Sequence, residues 1–497
     1  MNILLSPWLP VAMPDGRICK VAPVDVPCSG ALRVAHPRAD YSALATELLV
    51  ELFQTLLAPA DLAARAAMLR RPEEVNTQAF ADAKGAFELF GTDARFMQSP
   101  VALGVQADAS VLVFEAPGAK TVEDNTDFFV SRSDIASVCP HCAPVSLFLS
   151  NAHARQGGQG YRTTARGGSA LAVLVRGATL WETVVLNLLP APDFAARFAV
   201  PGAPANVYPW TSGVDTFTAG AVSPEQVGAF GTLWWCPVAL HLVEDQNEDQ
   251  MPCSQCGEAH PTHVRRVFKA ATKSRGIEGV MHPRTAWSPH NKTGRLLPLQ
   301  VPSNGLQLED WLALSLGKSE RHYPVAAVAA LRPSEARRVE LWSFGGLLNI
   351  NTLVRWCDET TPALVAENPR EAEVLRIQAH RLLEQALAKR DALTKALTTN
   401  LADNAKRKAP MPLSQSIESL VSRFETKARQ GLLQALSQVD FFVDSLPADT
   451  AAVFNTSLSG VAFALFESST IVNPLDVEQT RRVLSVRGAL LKKLYPK

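Results

Sequence analysis

Two Cys-x-x-Cys pairs constrain the fold of this chain more than any other feature of its sequence. The first pair, Cys139 and Cys142, stands in "VCPHCAPVS", and the second, Cys253 and Cys256, stands in "DQMPCSQCGEAHPTH". Two such pairs supply the four thiolates of a closed, tetrahedral structural zinc site. The 110 residues between the pairs are far more than a zinc-finger loop contains, so a shared zinc ion would join two distant segments.

Two other interpretations of the cysteine pairs are solvent-facing turns with unligated thiols and redox dithiols. A redox dithiol of the thioredoxin type needs a strand and a βα pattern around it, and neither pair has that setting. The remaining cysteines lack partners at metal-binding spacing, and we expect them in the core or at incidental positions. They are Cys19, Cys28, Cys236 and Cys357.

The expected cellular compartment favours metal ligation over disulfide formation. The start of the chain, "MNILLSPWLPVAMPDG", lacks the basic region and the long apolar stretch of a signal peptide. No run approaches the roughly 20 apolar residues of a membrane span. We therefore expect a cytosolic protein, and a reducing cytosol disfavours structural disulfides. With 497 residues, 47% of them hydrophobic, the chain is long enough for about two to four domains.

The chain has no net charge, but its charges are unevenly distributed. Residues 135–181 contain no Asp or Glu, and residues 259–308 contain only Glu278. Because a cysteine pair lies at the start of each basic stretch, a shared zinc ion would place the stretches side by side as a surface for phosphates. Alternatively, they are solvated loops balanced by acidic neighbours at 243–249. Their cationic side chains are Arg155, Arg162, Arg166, Arg176, Arg265, Arg266, Lys269, Lys273, Arg275, Arg284, Lys292 and Arg295.

The first basic stretch contains the glycine-rich segment "ARQGGQGYRTTARGG" at 154–168. Glycines allow positive φ and let a ligand approach the backbone without meeting a Cβ. The segment is neither a Walker loop nor a Rossmann turn, because it lacks the Gly-Lys-Ser/Thr and the strand-linked GxGxxG spacing. Arginines around such a loop suit a phosphate or groove contact, and a flexible surface loop is the alternative interpretation.

No motif of a hydrolase accompanies the histidines of these stretches. No HExxH, GxSxG or closely spaced carboxylate motif accompanies them. We therefore expect these histidines to be structural and the protein to be a binding module rather than an enzyme. They are His153, His260, His263, His282 and His290.

The first 365 residues combine short strands, helices and many loops that contain proline or glycine. Apolar residues on both sides of Asp15-Gly16, a strong turn pair, predict a β-hairpin at the start. A helix is predicted at about 41–58. The sequence thus predicts an α+β fold, with one large irregular domain over 1–365 that contains the zinc-knuckle element.

From residue 366 to 497 apolar residues recur at helical spacing in four segments, which predict a four-helix bundle. In "NPRE", Asn368 is an expected N-cap, with proline and glutamate at the first and third helical positions. The second segment runs from Ile417 to Leu432, the third over about 450–467, and the fourth from Asp476 as N-cap. This region carries 18 basic and 14 acidic residues, a net charge of +4.

Several segments together resemble one family, the large subunit CasA of the type I-E CRISPR surveillance complex Cascade. The resemblance covers effectively the whole chain, and the segments stand in the order of the family. They are "NILLSPWLPV" at the N-terminus, "RFMQ" at 95–98, the first cysteine pair with its glycine segment, "ARGGSALAVLVRGATLWETVVLNLL" at 165–189, "LWWCPVALHL" at 233–242, the second cysteine pair, and "FGGLLNIN" at 344–351.

This resemblance implies that a structural zinc ion at the four paired cysteines braces a DNA-reading domain. Guide RNA pairing would read the target, while the protein reads a short protospacer-adjacent motif in the flanking duplex. In the family this reading uses a glycine loop, a lysine finger and a wedge. The corresponding positions here are Gly157, Gly158, Gln159 and Gly160 for the loop, Lys269 or Lys273 for the finger, and Asn349, Ile350 and Asn351 for the wedge.

Two of these positions depart from the family pattern: Gln159 interrupts the glycines, and Asn351 replaces a glutamine. Phe129 matches a family loop that contacts the 5′ end of the guide RNA, and a core phenylalanine is the alternative. The implied partners are other Cascade subunits, the CRISPR guide RNA, double-stranded target DNA and a separate helicase-nuclease. A zinc-braced scaffold that binds only proteins is the main alternative function, and a metal-dependent nuclease is the third.

Overall fold

The computed structural model divides the chain into two compact units, Met1–Ser303 with Arg321–Ala363 and Asn304–Glu320 with Leu364–Lys497. The α+β class expected from the sequence is confirmed, and the C-terminal residues form a cluster of helices. Residues 304–320, which the expected boundary assigned to the first domain, belong to the second unit. The structure describes all residues except 118–121, 125–129, 154–163, 165, 204–207, 212–223, 271–280, 291, 304, 317–324, 332–334, 336–338, 350–351, 367, 402–410, 471–476 and 497.

The strands of the first unit, which range from two residues in β3 to eleven in β11, form small antiparallel sheets. Their bounds are β1 Leu9–Ala12, β2 Ile18–Val21, β3 Arg33–Val34, β4 Val105–Asp108, β5 Ala172–Arg176, β6 Ala239–Gln246, β7 Thr262–Ala270, β8 Trp287–Pro289, β9 Leu296–Pro298, β10 Glu340–Asn349 and β11 Thr352–Pro362. The strand orders within the sheets are β2-β1-β3, β4-β7-β6, β11-β10-β5 and β8-β9.

The helices range from single turns to rods of more than thirty residues. Their bounds are α1 Ala39–Leu57, α2 Leu62–Arg70, α3 Gln78–Ala83, α4 Ala143–Ala152, α5 Leu180–Leu186, α6 Ala191–Arg197, α7 Gly231–Trp234, α8 Leu308–Leu316, α9 Ala326–Ala329, α10 Pro369–Leu401, α11 Met411–Leu436, α12 Ala448–Ser469 and α13 Val477–Leu494. Short 3-10 helices occupy Pro23–Cys28, Pro72–Glu74, Lys84–Ala86, Ala109–Leu112, Arg132–Asp134 and Pro224–Val227.

Helix α1 is the central element of the first unit, because every residue from 43 to 54 is buried. A helix that is buried all round belongs to the interior of a large domain. Phe53 of α1 packs against Phe80 and Trp181, with ring centroids 4.9 and 5.2 Å away. The predicted N-terminal hairpin is confirmed: Ala12 of β1 pairs with Ile18 of β2. The predicted helix at about 41–58 corresponds to α1.

Two segments that carried the family resemblance pack together in the first unit. Phe96, in "RFMQ", lies 6.0 Å from Trp234, in "LWWCPVALHL", in an edge-on ring contact. Gln98 is buried, and its side chain donates to the Leu89 carbonyl oxygen at 2.7 Å and accepts from the Leu242 N–H at 2.8 Å. These motif residues therefore hold the core together.

Glycines allow β10 to approach its neighbours closely. A Cβ on Gly345 would lie 2.6 Å from the carbonyl oxygen of Ala170, and a Cβ on Gly346 would lie 2.2 Å from the Phe114 ring. Both glycines sit in the strand that pairs with β5 and β11. The "FGG" of the sequence therefore has a packing role in this sheet.

The second unit consists of α8 and α10–α13. The expected N-cap of α10 is confirmed, because Asn368 Oδ1 accepts from the Glu371 N–H at 3.0 Å and Asn368 Nδ2 donates to the Glu371 carboxylate at 3.0 Å. Asp476, the expected N-cap of α13, lies outside the described residues. The core of this unit includes the fully buried side chains Trp311, Leu382, Leu393, Leu397, Ala428, Leu432, Ala462 and Phe466.

Helix α8 is fastened to the long helices of its unit by a buried carboxylate. Glu425 of α11 accepts from the Leu308 N–H at 2.7 Å and from the Arg390 guanidinium at 2.8 Å. Arg390 also pairs with Glu309 at 3.1 Å. The link between α8 and the bundle is therefore polar as well as apolar.

Candidate metal centre and nucleic-acid interface

The two cysteine pairs meet in one cluster. The sulfur atoms of four cysteines all lie within 4.8 Å of one another: those of Cys139, Cys142, Cys253 and Cys256. The Cys139 and Cys256 sulfurs are 3.8 Å apart, which matches the edge of about 3.8 Å in a tetrahedron with metal–sulfur bonds of about 2.3 Å. The predicted pairing of the distant cysteines is thus confirmed as geometry, and the cluster can hold a tetrahedral metal ion.

Backbone interactions support the cluster from both sides. The N–H of Cys139 donates to the Cys253 sulfur at 3.2 Å, and the N–H of Gln255 donates to the same sulfur at 3.4 Å. A β-bridge joins Val138 to Val264, with N–O distances of 3.0 and 2.8 Å. The sulfur cluster is therefore preorganised by the chain, as expected of a structural metal site.

The pKa values of the clustered thiols shift in opposite directions. Hydrogen bonding with the Cys139 thiol, followed by that with Cys142, lowers the pKa of Cys253 and that of Cys256. Hydrogen bonding with Cys139, followed by Cys253 and Cys256, raises the pKa of Cys142. Four thiolates this close repel one another, so a divalent cation at their centre would allow all four to ionise.

A second cluster lies at the bases of the two basic stretches and consists of buried ionisable side chains. Glu47 of α1 pairs with Arg166, and Glu47 Oε2 lies 2.7 Å from His153 Nε2. One turn later, Glu51 lies 3.3 Å from Arg284 Nε. These side chains are at most 3% exposed. Each arginine carries a positive charge against one buried carboxylate, which is the arrangement that a buried charge requires.

The two basic stretches touch each other through this cluster. Arg166, from the first stretch, donates from Nη2 to His282 Nε2 in the second stretch at 3.0 Å. His153 directly precedes residues 154–163, and His282 closely follows residues 271–280. Arg166 thus joins His153 and His282, the described residues beside these two segments, in one buried cluster.

Four arginines of the basic stretches are paired with carboxylates in the structure. Arg166 and Arg284 are buried and paired with glutamates, so they cannot contribute to a phosphate-binding surface. Arg265 and Arg266 are ion-paired with Asp249 and Asp245. This pairing matches the alternative in which the acidic segment 243–249 balances its basic neighbours.

Two of the five histidines of the basic stretches belong to the buried cluster. His153 and His282 are structural members of the buried cluster, as expected. Burial lowers the pKa of His282, and Arg166 and Arg284 lower it further. Glu47 and Glu51 were not among the predicted functional residues, although two glutamates four residues apart in the otherwise apolar "ELLVELF" at 47–53 are a visible signal. A carboxylate in such a run requires a buried cation.

Most of the predicted nucleic-acid contacts fall outside the described residues. These are Phe129, Gly157, Gly158, Gln159, Gly160, Lys273, Ile350 and Asn351. Lys269 lies in β7, the middle strand of its sheet, where it pairs with Val105 of β4 and Leu240 of β6. Asn349 ends β10 and pairs with Thr352, the first residue of β11. The strands thus come together at the residues that flank Ile350 and Asn351.

A family model and several solved structures match this chain over most of its length. The family model for the CRISPR-associated protein Cse1 matches residues 2–464. The chain belongs to the Cse1 family. Among solved structures, Thermus thermophilus CasA (Cse1) is 16% identical over 99% of both chains, with a TM-score of 0.69. Cse1 from Acidimicrobium ferrooxidans is 18% identical over 99% of this chain and 97% of that chain, with a TM-score of 0.68.

The Cse1 fold also occurs in a larger assembly. A chain of a CRISPR RNA-guided surveillance complex is 17% identical over 99% of both chains, with a TM-score of 0.66. At such identities the likeness establishes a shared Cse1 fold, which confirms the resemblance read from the sequence.

Among the described residues of this Cse1 chain, no single helix has the length and apolar composition to cross a membrane, although the bent pair α1–α2 passes that test together.

Proposed function

We propose that this chain is the large subunit of a type I-E CRISPR surveillance complex and that it reads the protospacer-adjacent motif in double-stranded DNA. The observation that carries the proposal is the contact of Arg166 with His282, because it gives the two basic stretches a common base. Membership of the Cse1 family and the likeness to a chain of an RNA-guided surveillance complex support it.

The cations available to DNA are those that the buried cluster does not use. In the sequence, residues 154–163 contain Arg155 and Arg162, and residues 271–280 contain Lys273 and Arg275. Since both segments adjoin one buried cluster, these four cations act on the same stretch of phosphate backbone. Such contacts fix the position of the protein and carry no sequence information.

Motif reading is assigned to the glycine loop, Gly157 to Gly160, which approaches the minor groove with its bare backbone. The minor groove mainly distinguishes A·T from G·C pairs, so several flanking motifs are tolerated. For the lysine finger we favour Lys273 over Lys269. Lys269 is half-buried within a central strand, whereas Lys273 lies three residues beyond the end of β7.

The wedge is assigned to Asn349, Ile350 and Asn351. The register of β10 and β11 supports this assignment, since the pair Asn349 and Thr352 leaves only Ile350 and Asn351 between the strands. Ile350 would offer an apolar surface to the base pair that it displaces. Opening one base step costs a few kcal/mol, which contacts to the opened DNA must offset.

Zinc is the metal that we assign to the four cysteines. Four thiolates in a tetrahedral cluster are the typical ligand set of a structural zinc ion, which supplies cross-linking of the chain and no open position for catalysis. The ion would hold together the loop before α4 and the loop before β7. We therefore assign the subunit a binding role without enzymatic activity.

The remaining partners follow from the same assignment. Phe129 would contact the 5′ end of the guide RNA, other Cascade subunits would hold the chain in the complex, and a separate helicase-nuclease would cleave the opened DNA. The net charge of +4 over residues 366–497 suits contact of the helical unit with displaced or flanking DNA.

The test is reconstitution of the surveillance complex with and without this chain. We expect motif-dependent binding of a target duplex only when the chain is present. Alanine at Asn349, Ile350 and Asn351 together should impair binding to the intact duplex but spare binding to a target with a pre-opened bubble beside the motif. Equal binding of both targets by that variant would place the wedge elsewhere.

A protein-binding scaffold is the second candidate. The ion pairs of Arg265 with Asp249 and of Arg266 with Asp245 favour it, because they neutralise part of the second basic stretch. Under this alternative the complex assembles only with the chain, but binding to DNA does not depend on the flanking motif. The same reconstitution therefore separates the two functions.

A further inference from the structure

A second group of metal-ligating side chains stands on the same two cysteine loops. His141 lies between Cys139 and Cys142, and Glu258 and His260 follow Cys256 in the chain. One ligand atom from each of the three side chains lies within 4.8 Å of the others. We propose that His141, Glu258 and His260 bind a divalent transition-metal ion separate from the ion of the four cysteines.

Unsatisfied nitrogens are the first support for this site. His141 Nδ1 and His260 Nε2 are both buried. His141 Nδ1 has no hydrogen-bond partner, and His260 Nε2 has only a long ion-pair contact, with Glu258 Oε2 at 3.5 Å. A buried polar atom whose hydrogen-bonding capacity is not used destabilises the folded state. A metal ion bound to both nitrogens would remove this cost.

The geometry of the ligands is the second support. His260 Nε2 lies 3.5 Å from Glu258 Oε2. Two ligand atoms about 2.1 Å from a tetrahedral metal are about 3.4 Å apart, so this pair needs almost no adjustment. The His141 and His260 ring centroids are 4.2 Å apart and the rings are inclined at 70°. This edge-on arrangement brings the two imidazoles together without stacking their faces.

The ligand set indicates the class of metal. Two imidazoles and one carboxylate suit Zn²⁺, Co²⁺, Ni²⁺ or Cu²⁺ rather than Mg²⁺ or Ca²⁺, which prefer oxygen ligands. The His260 side chain is 11% exposed and the Glu258 side chain is 54% exposed, so the site opens to solvent on its carboxylate side. With three protein ligands, a coordination position stays free for water. The ion therefore exchanges more readily than one enclosed by four cysteines.

Lys20 of β2 competes with the metal for the carboxylate. Its Nζ lies 2.5 Å from Glu258 Oε2, where its ammonium group already neutralises the glutamate. A dication must displace that ammonium and then experience its repulsion, so Lys20 weakens metal binding.

The experiment is a titration of the tag-free, full-length, metal-depleted chain with Co²⁺ under reducing conditions. Cobalt bound by thiolates gives a sulfur-to-metal charge-transfer band, and cobalt bound by imidazole and carboxylate does not. We expect two equivalents, the first with the band and the second without it. His260→Ala and Glu258→Gln should each lose the second equivalent and keep the band, which also reports that the cysteine loops remain folded.

Two further variants complete the test. His290→Ala removes an exposed histidine outside the cluster and should bind both equivalents normally. Lys20→Met should bind the second equivalent about tenfold more tightly. A single equivalent in both the wild type and Lys20→Met would overturn the proposal. Retention of the second equivalent by a His260→Ala, Glu258→Gln double variant would overturn it as well.

Discussion

Glu47 and Glu51 lie one turn apart on α1 with both carboxylates fully buried, and each binds an arginine from a different basic stretch. Glu47 pairs with Arg166, from the stretch that follows the first cysteine pair, and Glu51 pairs with Arg284, from the stretch that follows the second. One helix thus fixes the bases of two segments that are more than a hundred residues apart in the chain.

Replacing Glu47 with glutamine should strongly destabilise the first unit. The change leaves the Arg166 guanidinium buried without its carboxylate, a situation that costs about 3–5 kcal/mol. Urea unfolding measures the loss, and Glu74→Gln is the matched control, since Glu74 pairs with Arg71 at an exposed site. Equal stability of the two variants would show that Arg166 does not depend on Glu47.

The pH dependence of Glu51 should have the opposite sign to that of Glu47. Burial, aided by the charge of Glu47, raises the pKa of Glu51 to about 7 against the attraction of Arg284. The folded carboxyl therefore binds its proton more tightly than the unfolded one, whose pKa is about 4.5. The stability that this proton contributes is present below pH 4.5 and is lost as the pH rises through 7.

The measurement compares the wild type with Glu51→Gln at about pH 5 and about pH 8. The unfolding free energy of the wild type minus that of the variant should be up to about 3 kcal/mol larger at pH 5 than at pH 8, so the wild type is relatively more stable at the lower pH.

For Glu47, burial raises the pKa but Arg166 and His153 bring it to about 2. Its stability contribution is present above pH 4.5 and is lost toward pH 2, so the comparison with Glu47→Gln should show the reverse trend between about pH 2 and about pH 4.5 and little change from pH 5 to pH 8.

Replacing Cys253 with serine should lower both metal content and stability. The Cys253 sulfur accepts hydrogen bonds from two backbone N–H groups and belongs to the sulfur cluster. Its replacement removes one of the four metal ligands. Elemental analysis and thermal unfolding check the result, with Cys28→Ser, at an exposed thiol, as control. Native protein without zinc and with all four thiols freely alkylated would contradict the assignment.

Alanine at Gly345 should destabilise the sheet of β5, β10 and β11. The added Cβ would meet the Ala170 carbonyl oxygen at 2.6 Å, and a backbone atom cannot move away as a flexible side chain does. We expect a loss of about 1–3 kcal/mol in the unfolding free energy. Gly85→Ala is the control, because a Cβ there has no neighbour within 4 Å. A harmless Gly345→Ala would mean that the strand can shift.

Arginine at Gly160 should abolish motif-dependent binding of the target duplex by the reconstituted complex. The added side chain would collide with the minor groove, even though its charge favours phosphate contact. Band-shift titration checks the effect on duplexes with and without the motif. Normal opening of motif-bearing targets by this variant would place the DNA-reading surface in another segment. Lys269→Ala and Lys273→Ala belong in the same assay, and we expect the larger loss for Lys273.

Local signals in the sequence predicted local structure well. The N-cap at Asn368 forms as the residue types require, because its bonds span only three residues. The sulfur cluster was predictable over a long distance because matched cysteine pairs have few other uses. The partners of Glu47 and Glu51 were not predictable, since an arginine in sequence looks the same whether it meets DNA or a buried carboxylate.

The second unit is assembled from two separate stretches of the chain, and this dictates the order in which it can form during synthesis. Helix α8, with its fully buried Trp311, is made before β10 and β11, which belong to the first unit. On the ribosome it must wait for α10 and α11 to emerge before Glu425 can bind the Leu308 N–H and Arg390. A fragment that begins at residue 366 never receives this helix, so expression of the C-terminal unit alone calls for a graft of residues 304–320.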